Sequence, residues 1–456
     1  MVFSSLIFIF GFLPPCILLV WASRKNNILQ NIILTCASLF FYSWGEPKHV
    51  WLFVITVSLN WIMTLVAKRA KKDTLQRIIG SITILIDLAI LFWFKYAGWI
   101  GNGLGCSIGS LVLPIGISFY TFQAISYVAD VTLLNKYPAE KNPINVSLYI
   151  AFFPQLIAGP IVRYEEMRDQ INRRTLSIDL FEEGAFRFAY GFCKKVLLAD
   201  TMGIIANKAF NAGDNLTCTF AWLGAIAYSF QIFMDFSGYS DMAIGLGAIF
   251  GFRIPENFKC PYMARSIRDF WRRWHITLSI WFRDYVYIPL GGNRNGKLRM
   301  VINIAVVWLL TGLWHGANIT FVIWGGAYGT FVLMEKLLGI EKQLEKATTK
   351  GRLAYRFFTL LTILILWVFF RADNIGVAMN YLRQMFSFGL EQFDETLLYI
   401  TELKWAFLGS FVLSVIPFER INSKRTIAWP VIFLLFLVSV SYLVKGTFSP
   451  FLYFNF

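Results

Sequence analysis

The chain has 456 residues, of which 57% are hydrophobic, 18% aromatic and only 15% charged, and its mean hydropathy is +0.57. No water-soluble globular domain needs that much apolar surface, so the composition excludes a soluble enzyme and points to an all-α polytopic membrane protein. The net charge of +15 would suit nucleic acid, but the Lys and Arg residues cluster in short loops between apolar segments. That is the positive-inside pattern, with attraction to anionic lipid headgroups added, and nucleic acid ranks well below it as the cause.

A membrane-crossing helix needs about 20 mostly apolar residues. The first candidate covers residues 5–21, with Pro14-Pro15 as an internal kink. It has no basic region before it and many spans after it, so it reads as a transmembrane helix and not a cleaved signal peptide. Candidates at 28–44 and 50–67 follow. The linkers Arg24-Lys25 and 68–72 are strongly basic and the one between them is not, which puts the N-terminus outside and the 68–77 loop in the cytoplasm. His49 reads as an interfacial loop residue.

A fourth span, 78–100, leads to an uncharged, Gly-rich loop at 101–110, and 111–131 returns. Within it, residues 113–123 are more polar than a lipid-facing helix and read as a helix buried among others. Residues 152–160, Phe-Pro-Gln-Leu-Ile-Ala-Gly-Pro after a first Phe, predict a re-entrant or broken helix, tolerated only where it is buried in protein or lines a watery cavity. The charged stretch 163–183 is assigned to the cytoplasmic surface, and 186–198, with Arg187 and Lys194-Lys195, to an interfacial amphipathic helix. Residues 221–234 are apolar and run into Asp235-Phe236-Ser237-Gly238-Tyr239-Ser240-Asp241. Two carboxylates there are costly unless paired or wet, and a structural pair that caps a helix or binds Arg from the basic stretch ranks above a catalytic one. Spans at 320–338, 357–370, 405–416 and 429–444, separated by basic loops at 342–356 and 419–425 and a polar segment at 371–399, complete roughly eleven crossings or part-crossings. No repeat, inverted half or linker divides the chain, so 1–456 is expected to be a single membrane-embedded domain.

The stretch 268–316 concentrates the chemistry. It begins Arg268-Asp269-Phe270-Trp271-Arg272-Arg273-Trp274-His275, passes Arg283 and the loop Gly291-Gly292-Asn293-Arg294, and ends after the apolar segment 301–312 in Trp314-His315-Gly316. Two of only three histidines bracket it. An imidazole in a membrane segment marks a functional site or else a helix-end group satisfied by a carbonyl or headgroup. A neutral imidazole can take the proton of a hydroxyl attacking an acyl carbon, and nearby N–H donors can hold the oxyanion. Arg268, Arg272, Arg273 and Arg283 suit a phosphate-bearing donor, and equally suit lipid headgroups. No G-x-S-x-G, H-E-x-x-H or Walker lysine loop is present, and the six scattered cysteines (16, 36, 106, 193, 218, 260) give neither a disulfide framework nor a zinc site. A metal held by His275 and His315 lacks a third ligand.

Trp274-His275-Ile276-Thr277-Leu278-Ser279, Arg283-Asp284-Tyr285 with Ile288-Pro289-Leu290-Gly291-Gly292-Asn293-Arg294, and Gly312-Leu313-Trp314-His315-Gly316-Ala317 together resemble the membrane-bound O-acyltransferase family, in its bacterial polysaccharide O-acetylase branch. Residues 152–160, 235–241 and Pro255-Glu256-Asn257-Phe258 resemble further motifs of that branch, and the likeness covers about 113–329. The resemblance implies a catalytic role for His315, a second functional position at His275, and helices around a central tunnel. It implies acetyl-CoA as cytoplasmic donor substrate with no bound cofactor, and an extracytoplasmic glycan or a partner acetyl carrier or transferase as acceptor, in the bacterial plasma membrane. Trp274, Trp314, Asp235 and Gln155 join the four arginines as expected substrate contacts. A D-alanyl transferase sharing both histidines is an alternative, lowered by its different glycine-proline motif; a transporter of lipid-linked sugar and a scaffold with structural histidines are the readings from other classes.

Overall fold

The computed structural model describes residues 1–105, 112–387, 393–446 and 451–452. Cys106 and the rest of the 101–110 loop beyond residue 105, Leu111, and residues 388–392 of the polar segment lie outside the described residues. No strand occurs among the described residues. In chain order the α-helices are α1 (Leu13–Ala22), α2 (Asn27–Gly45), α3 (Val50–Arg69), α4 (Asp73–Gly103), α5 (Ile117–Val128), α6 (Pro143–Ala151), α7 (Phe153–Leu156), α8 (Tyr164–Arg173), α9 (Ile178–Cys193), α10 (Asp200–Phe210) and α11 (Cys218–Ile249). The remainder are α12 (Ile267–Trp271), α13 (Ile276–Phe282), α14 (Gly296–His315), α15 (Ile319–Leu338), α16 (Ile340–Lys346), α17 (Thr349–Arg371), α18 (Ile375–Met385), α19 (Phe393–Glu402), α20 (Lys404–Val415), α21 (Phe418–Asn422) and α22 (Arg425–Val444).

Among the described residues, seven helices are long and apolar enough to cross a membrane: α2, α3, α4, α14, α15, α17 and α22. A pair bent by 71° at the α19–α20 junction makes up to eight, and 7–22 is a shorter apolar helix. The chain is thus a multi-pass, all-α membrane protein. A helix surrounded by lipid can be apolar on every side, and Leu18, Leu85, Phe411 and Leu434 are among many large apolar side chains left exposed for the hydrocarbon.

Residues cluster into two compact units. The first comprises Met1–Gly191, Tyr239–Glu256 and Val440–Phe448, the second Phe192–Gly238, Asn257–Ser439 and Ser449–Phe456. In the first, the polar 113–123 segment becomes α5, whose residues are all buried. Its cap Gly116 sits at φ +74°, and a Cβ there would meet the Leu156 carbonyl oxygen at 2.8 Å, so only glycine fits. Residues 152–160 break as expected. α6 ends at Ala151, α7 lasts one turn, and the irregular backbone that follows is buried in protein. The Ser38 hydroxyl accepts from the Phe153 N–H at 3.1 Å. The Gln155 amide donates to the Tyr149 carbonyl at 2.6 Å, closing the corner. His49 stands at the start of α3, its Nδ1 2.9 Å from Glu46.

Among the described residues, four widened, π-helical turns occur: Ile7–Phe12 leads into α1, Ala129–Leu133 and Arg283–Tyr287 end α5 and α13, and Lys194–Ala199 joins α9 to α10. The first precedes Pro14 and Pro15, which have no N–H to offer the carbonyls one turn back, and the wider turn relieves that conflict.

Two expectations differ from the structure. Residues 186–198 form no interfacial helix: Arg187, Lys194 and Lys195 are all buried. The 235–241 carboxylates do not end a helix either, because α11 runs unbroken through them. The two facts share a cause. In the first unit the Arg187 guanidinium donates to Asp241 at 3.0 and 2.9 Å and, two-pronged, to Glu256 at 2.6 Å on each oxygen. In the second, the Lys195 ammonium lies 2.8 Å from Asp235 and 2.7 Å from Asp200. Arg187 and Lys195, which read as surface-seeking, are each neutralised by a carboxylate that reads as helix-capping or as a partner of the later arginines, and the Lys194 ammonium lies over the Phe233 ring at 5.5 Å.

The α14–α15 hairpin in the second unit crosses through glycines. A Cβ on Gly325 would lie 2.5 Å from the Trp308 carbonyl oxygen, and one on Gly312 would overlap the Phe321 carbonyl oxygen. Small residues of this kind let membrane helices approach closely. Gly325→Leu should therefore force the hairpin apart, lowering stability by at least the roughly 1–3 kcal/mol of an overpacked core. Gly326→Leu, whose Cβ meets nothing within 4 Å, should leave thermal unfolding in detergent unchanged. Equal melting of the two variants would contradict this packing.

Candidate functional site

The site is built from α12 to α15 and α17 of the second unit. α12 starts at Ser266, whose hydroxyl accepts from the Asp269 N–H at 3.2 Å. The Glu335 carboxylate on α15 accepts from the N–H groups of Ile267 (2.7 Å) and Arg268 (2.9 Å) and from the Tyr355 hydroxyl (3.0 Å). A carboxylate on the open N–H groups of a helix start is favourable. The basic stretch is thus fixed to α15 from its first turn. Trp271 consequently packs edge-on against Trp308, Trp324 and Tyr328, with ring centroids at 4.8, 5.6 and 4.9 Å.

A cavity of about 250 Å³ adjoins this aromatic layer, lined by Arg268, Trp271, Arg272, Ser279, Arg283 and Trp308 with apolar side chains of α14 and α15. Three of the four arginines expected to meet a donor therefore share one cavity. Glu341 at the start of α16 binds two of them, Arg268 at 2.9 Å and Arg272 at 2.6 Å, and Asp284 binds Arg283 at 2.6 Å. Arg273 instead pairs with Asp269 one turn back, at 2.9 Å, and lines a second groove with Arg265 and Arg352, which Arg272 also borders.

His315 is the last residue of α14 and is 3% exposed. Its imidazole is enclosed by rings: Trp314 at 4.8 Å, Trp324 and Phe370 edge-on at 5.0 Å, and Phe321 stacked at 6.4 Å. The glycine after it is explained by the same wall, since a Cβ on Gly316 would run into the Phe321 ring. At the other end of α14, Gly291 and Gly292 take φ values of +101° and +57°, and their turn is held by the Asn303 amide, which donates to the Gly292 carbonyl at 2.8 Å.

His275 precedes α13 in a left-handed conformation, φ +45° and ψ +53°, which non-glycine residues rarely adopt and which clusters at functional sites. It is fully buried. Phe236 stands edge-on to it at 4.7 Å and Trp314 lies at 5.8 Å, so the one indole touches both imidazoles. Burial alone pulls the His275 pKa down to about 3, and the ring is neutral at any working pH. Its Nδ1 is 3.1 Å from the Asn257 side-chain oxygen, while Nε2 has no hydrogen-bond partner among the described residues. The Trp271 and Trp324 indole nitrogens and the Tyr328 hydroxyl share that condition. Nε2 belongs to His275 itself, and Trp324 packs on His315 at 5.0 Å with Trp271 and Tyr328 against it at 5.6 and 5.1 Å, a layer in which buried polar atoms, normally bonded, are left without partners among the described residues.

The other expected contacts fall elsewhere. Trp274 is 1% exposed and packs as core against Phe270 at 5.5 Å and Trp367 at 5.0 Å. Asp235 is held by Lys195 and accepts from the Leu452 N–H at 2.8 Å. Gln155 belongs to the first unit. Asn257 and Glu341 are the residues sequence reading missed. Asn257 stands in one of the motifs above, but its contact with His275 exists only once the 257–276 loop closes.

The sequence matches the MBOAT, membrane-bound O-acyltransferase, family over residues 39–371. The chain is 40% identical to the probable alginate O-acetylase AlgI of Pseudomonas putida, over the whole of both chains. It is 35% identical to the peptidoglycan O-acetyltransferase of Helicobacter pylori, over 84% of this chain and 80% of that one. It is 32% identical to the teichoic acid D-alanyltransferase of Bacillus subtilis, over 57% and 67% respectively. With both motif histidines gathered around one indole and a family match spanning most of its length, the chain belongs to the membrane-bound O-acyltransferases and is an O-acyltransferase enzyme.

Proposed function

We propose that this enzyme transfers acetyl from cytoplasmic acetyl-CoA toward hydroxyls of an extracytoplasmic glycan, directly or through a partner acetyl carrier or transferase. The observation that carries the reading is an imidazole site joined through the Trp324–Trp271 ring contact to a cavity edged by Arg268, Arg272 and Arg283, whose lining includes neither histidine. Guanidinium groups suit the phosphates of a CoA donor, and the flat Trp271 and Trp308 side chains suit its slender thioester arm. His315 acts as general base. The acceptor oxygen attacks the thioester carbonyl carbon, the C–O bond forms and the C–S bond breaks. The hydroxyl proton passes to His315 and from there to the departing CoA thiolate. The whole chain works as one catalytic domain in the bacterial plasma membrane, N-terminus outside, with its basic loops against anionic lipids.

Acetyl is favoured over D-alanyl because the two O-acetyltransferase relatives match 84–100% of the chain and the D-alanyltransferase 57%. The test is labelled-acetyl transfer from acetyl-CoA by proteoliposomes of the purified protein, with a D-alanyl thioester carrier as competing donor. Loss of label from CoA with the wild type supports acetyl transfer. Turnover of the D-alanyl carrier alone replaces it with the alternative, and turnover of neither removes the reading.

The arginines separate under the same assay. Arg272→Ala loses a partly exposed ionic contact worth about 1 kcal/mol, so the donor KM should rise roughly fivefold with kcat unchanged. Arg273→Ala, outside the cavity, should leave the KM within twofold of wild type. The reverse order would move the donor to the other groove.

A further inference from the structure

We propose that Asn257 is the positioning residue that fixes His275 as the Nδ1–H tautomer, so that Nε2 presents a bare lone pair, and not an N–H, to the site. This rests on the acyl-transfer reading for its consequence but not for its geometry.

The side-chain oxygen of Asn257 lies 3.3 Å from the Thr277 backbone N–H and 2.9 Å from the Thr277 hydroxyl, as well as 3.1 Å from His275 Nδ1. A backbone N–H can only donate, so the atom facing it is the amide oxygen and not the NH2 group, which would oppose donor to donor. A carbonyl oxygen cannot donate. Nδ1 must therefore carry the proton in the neutral ring, and the bare lone pair falls on Nε2. The neutral state is secured by complete burial beside the uncharged rings of Phe236 and Trp314.

The surrounding backbone keeps this contact in register. Ile276 N–H donates to the Asn257 carbonyl at 3.0 Å, and Lys259 N–H to the Arg273 carbonyl at 2.9 Å. The two bonds strap residues 257–259 to the turn that holds His275 in its left-handed conformation. Asn257 itself is fully buried. One side chain thus binds the helix start through Thr277 and the imidazole through Nδ1, so the Thr277 bonds hold the Asn257 oxygen in place for the ring. The opposite tautomer would point an N–H at the site. That group could steady an oxyanion, whereas the bare Nε2 can only accept a hydrogen bond, the attacking hydroxyl's own proton going to His315. Asn257 therefore decides which of the two roles His275 can play.

The closing experiment reads the tautomer directly. Only three histidines occur in the chain, so 15N-histidine-labelled protein in proteoliposomes gives few imidazole signals, and the His275 pair is identified by its absence in His275→Gln. The expected spectrum has protonated Nδ1 and bare Nε2 for His275, whether or not a donor has been found. A protonated Nε2 overturns the proposal. Asn257→Asp, which keeps the acceptor oxygens, should preserve the tautomer. Asn257→Ala should release it and, with acetyl-CoA as probe, lower kcat at least tenfold while the donor KM stays within twofold. Folded Asn257→Ala protein with wild-type kcat and the wild-type tautomer would show that Asn257 only braces the loop.

Discussion

His315→Ala should reduce acyl transfer by about 10²–10⁴-fold, the range supplied by a positioned general base, while the donor KM stays near wild type. The side chain contributes little that the fold requires beyond its place among Trp314, Trp324, Phe321 and Phe370. Glu335, the hydrogen-bonded Asn303 and the α14–α15 glycine crossing hold the surrounding frame without it. The arginines of the adjoining cavity keep their own carboxylate partners, so donor affinity has no reason to change. His315→Gln, which fills more of the volume and keeps polar atoms, should be as inactive as His315→Ala. Rates measured at matched amounts of monodisperse protein decide the matter. A variant that transfers acyl groups at the wild-type rate would make His315 a packing residue and end the mechanism. A variant with a large KM increase and little loss of kcat would move His315 to donor binding.

Arg187→Met should cost about 3–5 kcal/mol of stability, the penalty for removing one partner of a buried ion pair. Arg187 is 6% exposed, as is Asp241, and four of its hydrogen bonds end on two carboxylates. Without it Asp241 is left charged inside the first unit with no compensating cation. Adding Asp241→Asn should recover a large part of the loss, because the remaining group is neutral and Glu256, whose side chain is 32% exposed, can turn to water. Thermal unfolding in detergent, followed by loss of the monodisperse peak, would show the single variant far below wild type and the double variant between them. Coincident curves for all three would mean that the cluster is hydrated and not a buried pair.

The parts of the architecture readable from sequence were those set by lipid. Residues 28–44, 50–67, 320–338 and 357–370 need only be apolar and long, and each lies within a spanning helix. The two site histidines were conspicuous by scarcity, and the break after Ala151 by its prolines. Ion pairs were not legible. Arg187 finds Asp241 across 54 residues, and on the page a cation among apolar side chains looks the same whether it seeks headgroups or a buried carboxylate. Asp235 and Asp241, six residues apart, read as one motif although they serve different units. Adjacent arginines raised a related difficulty. Arg272 and Arg273 are neighbours just past the end of α12, yet only the first lines the cavity, because Arg273 is turned back onto Asp269. The role of Asn257 required a loop closure that no local pattern announces.

The four widened turns have an evolutionary corollary. A π-turn accommodates one residue more than an α-helical turn, so a single-codon insertion suffices to make one; of the four, Lys194–Ala199 has an α-helix on each side, α9 and α10. Deleting one residue at Lys194–Ala199 or Arg283–Tyr287 would restore regular winding and swing everything on one side by about 100°. At the first of these, Lys195 would leave Asp235; at the second, Arg283 would leave the cavity lining. Alignment gaps within this family therefore ought to avoid those two turns in lineages that keep the ion pair and the arginine, and to accompany the loss of both where the gaps occur.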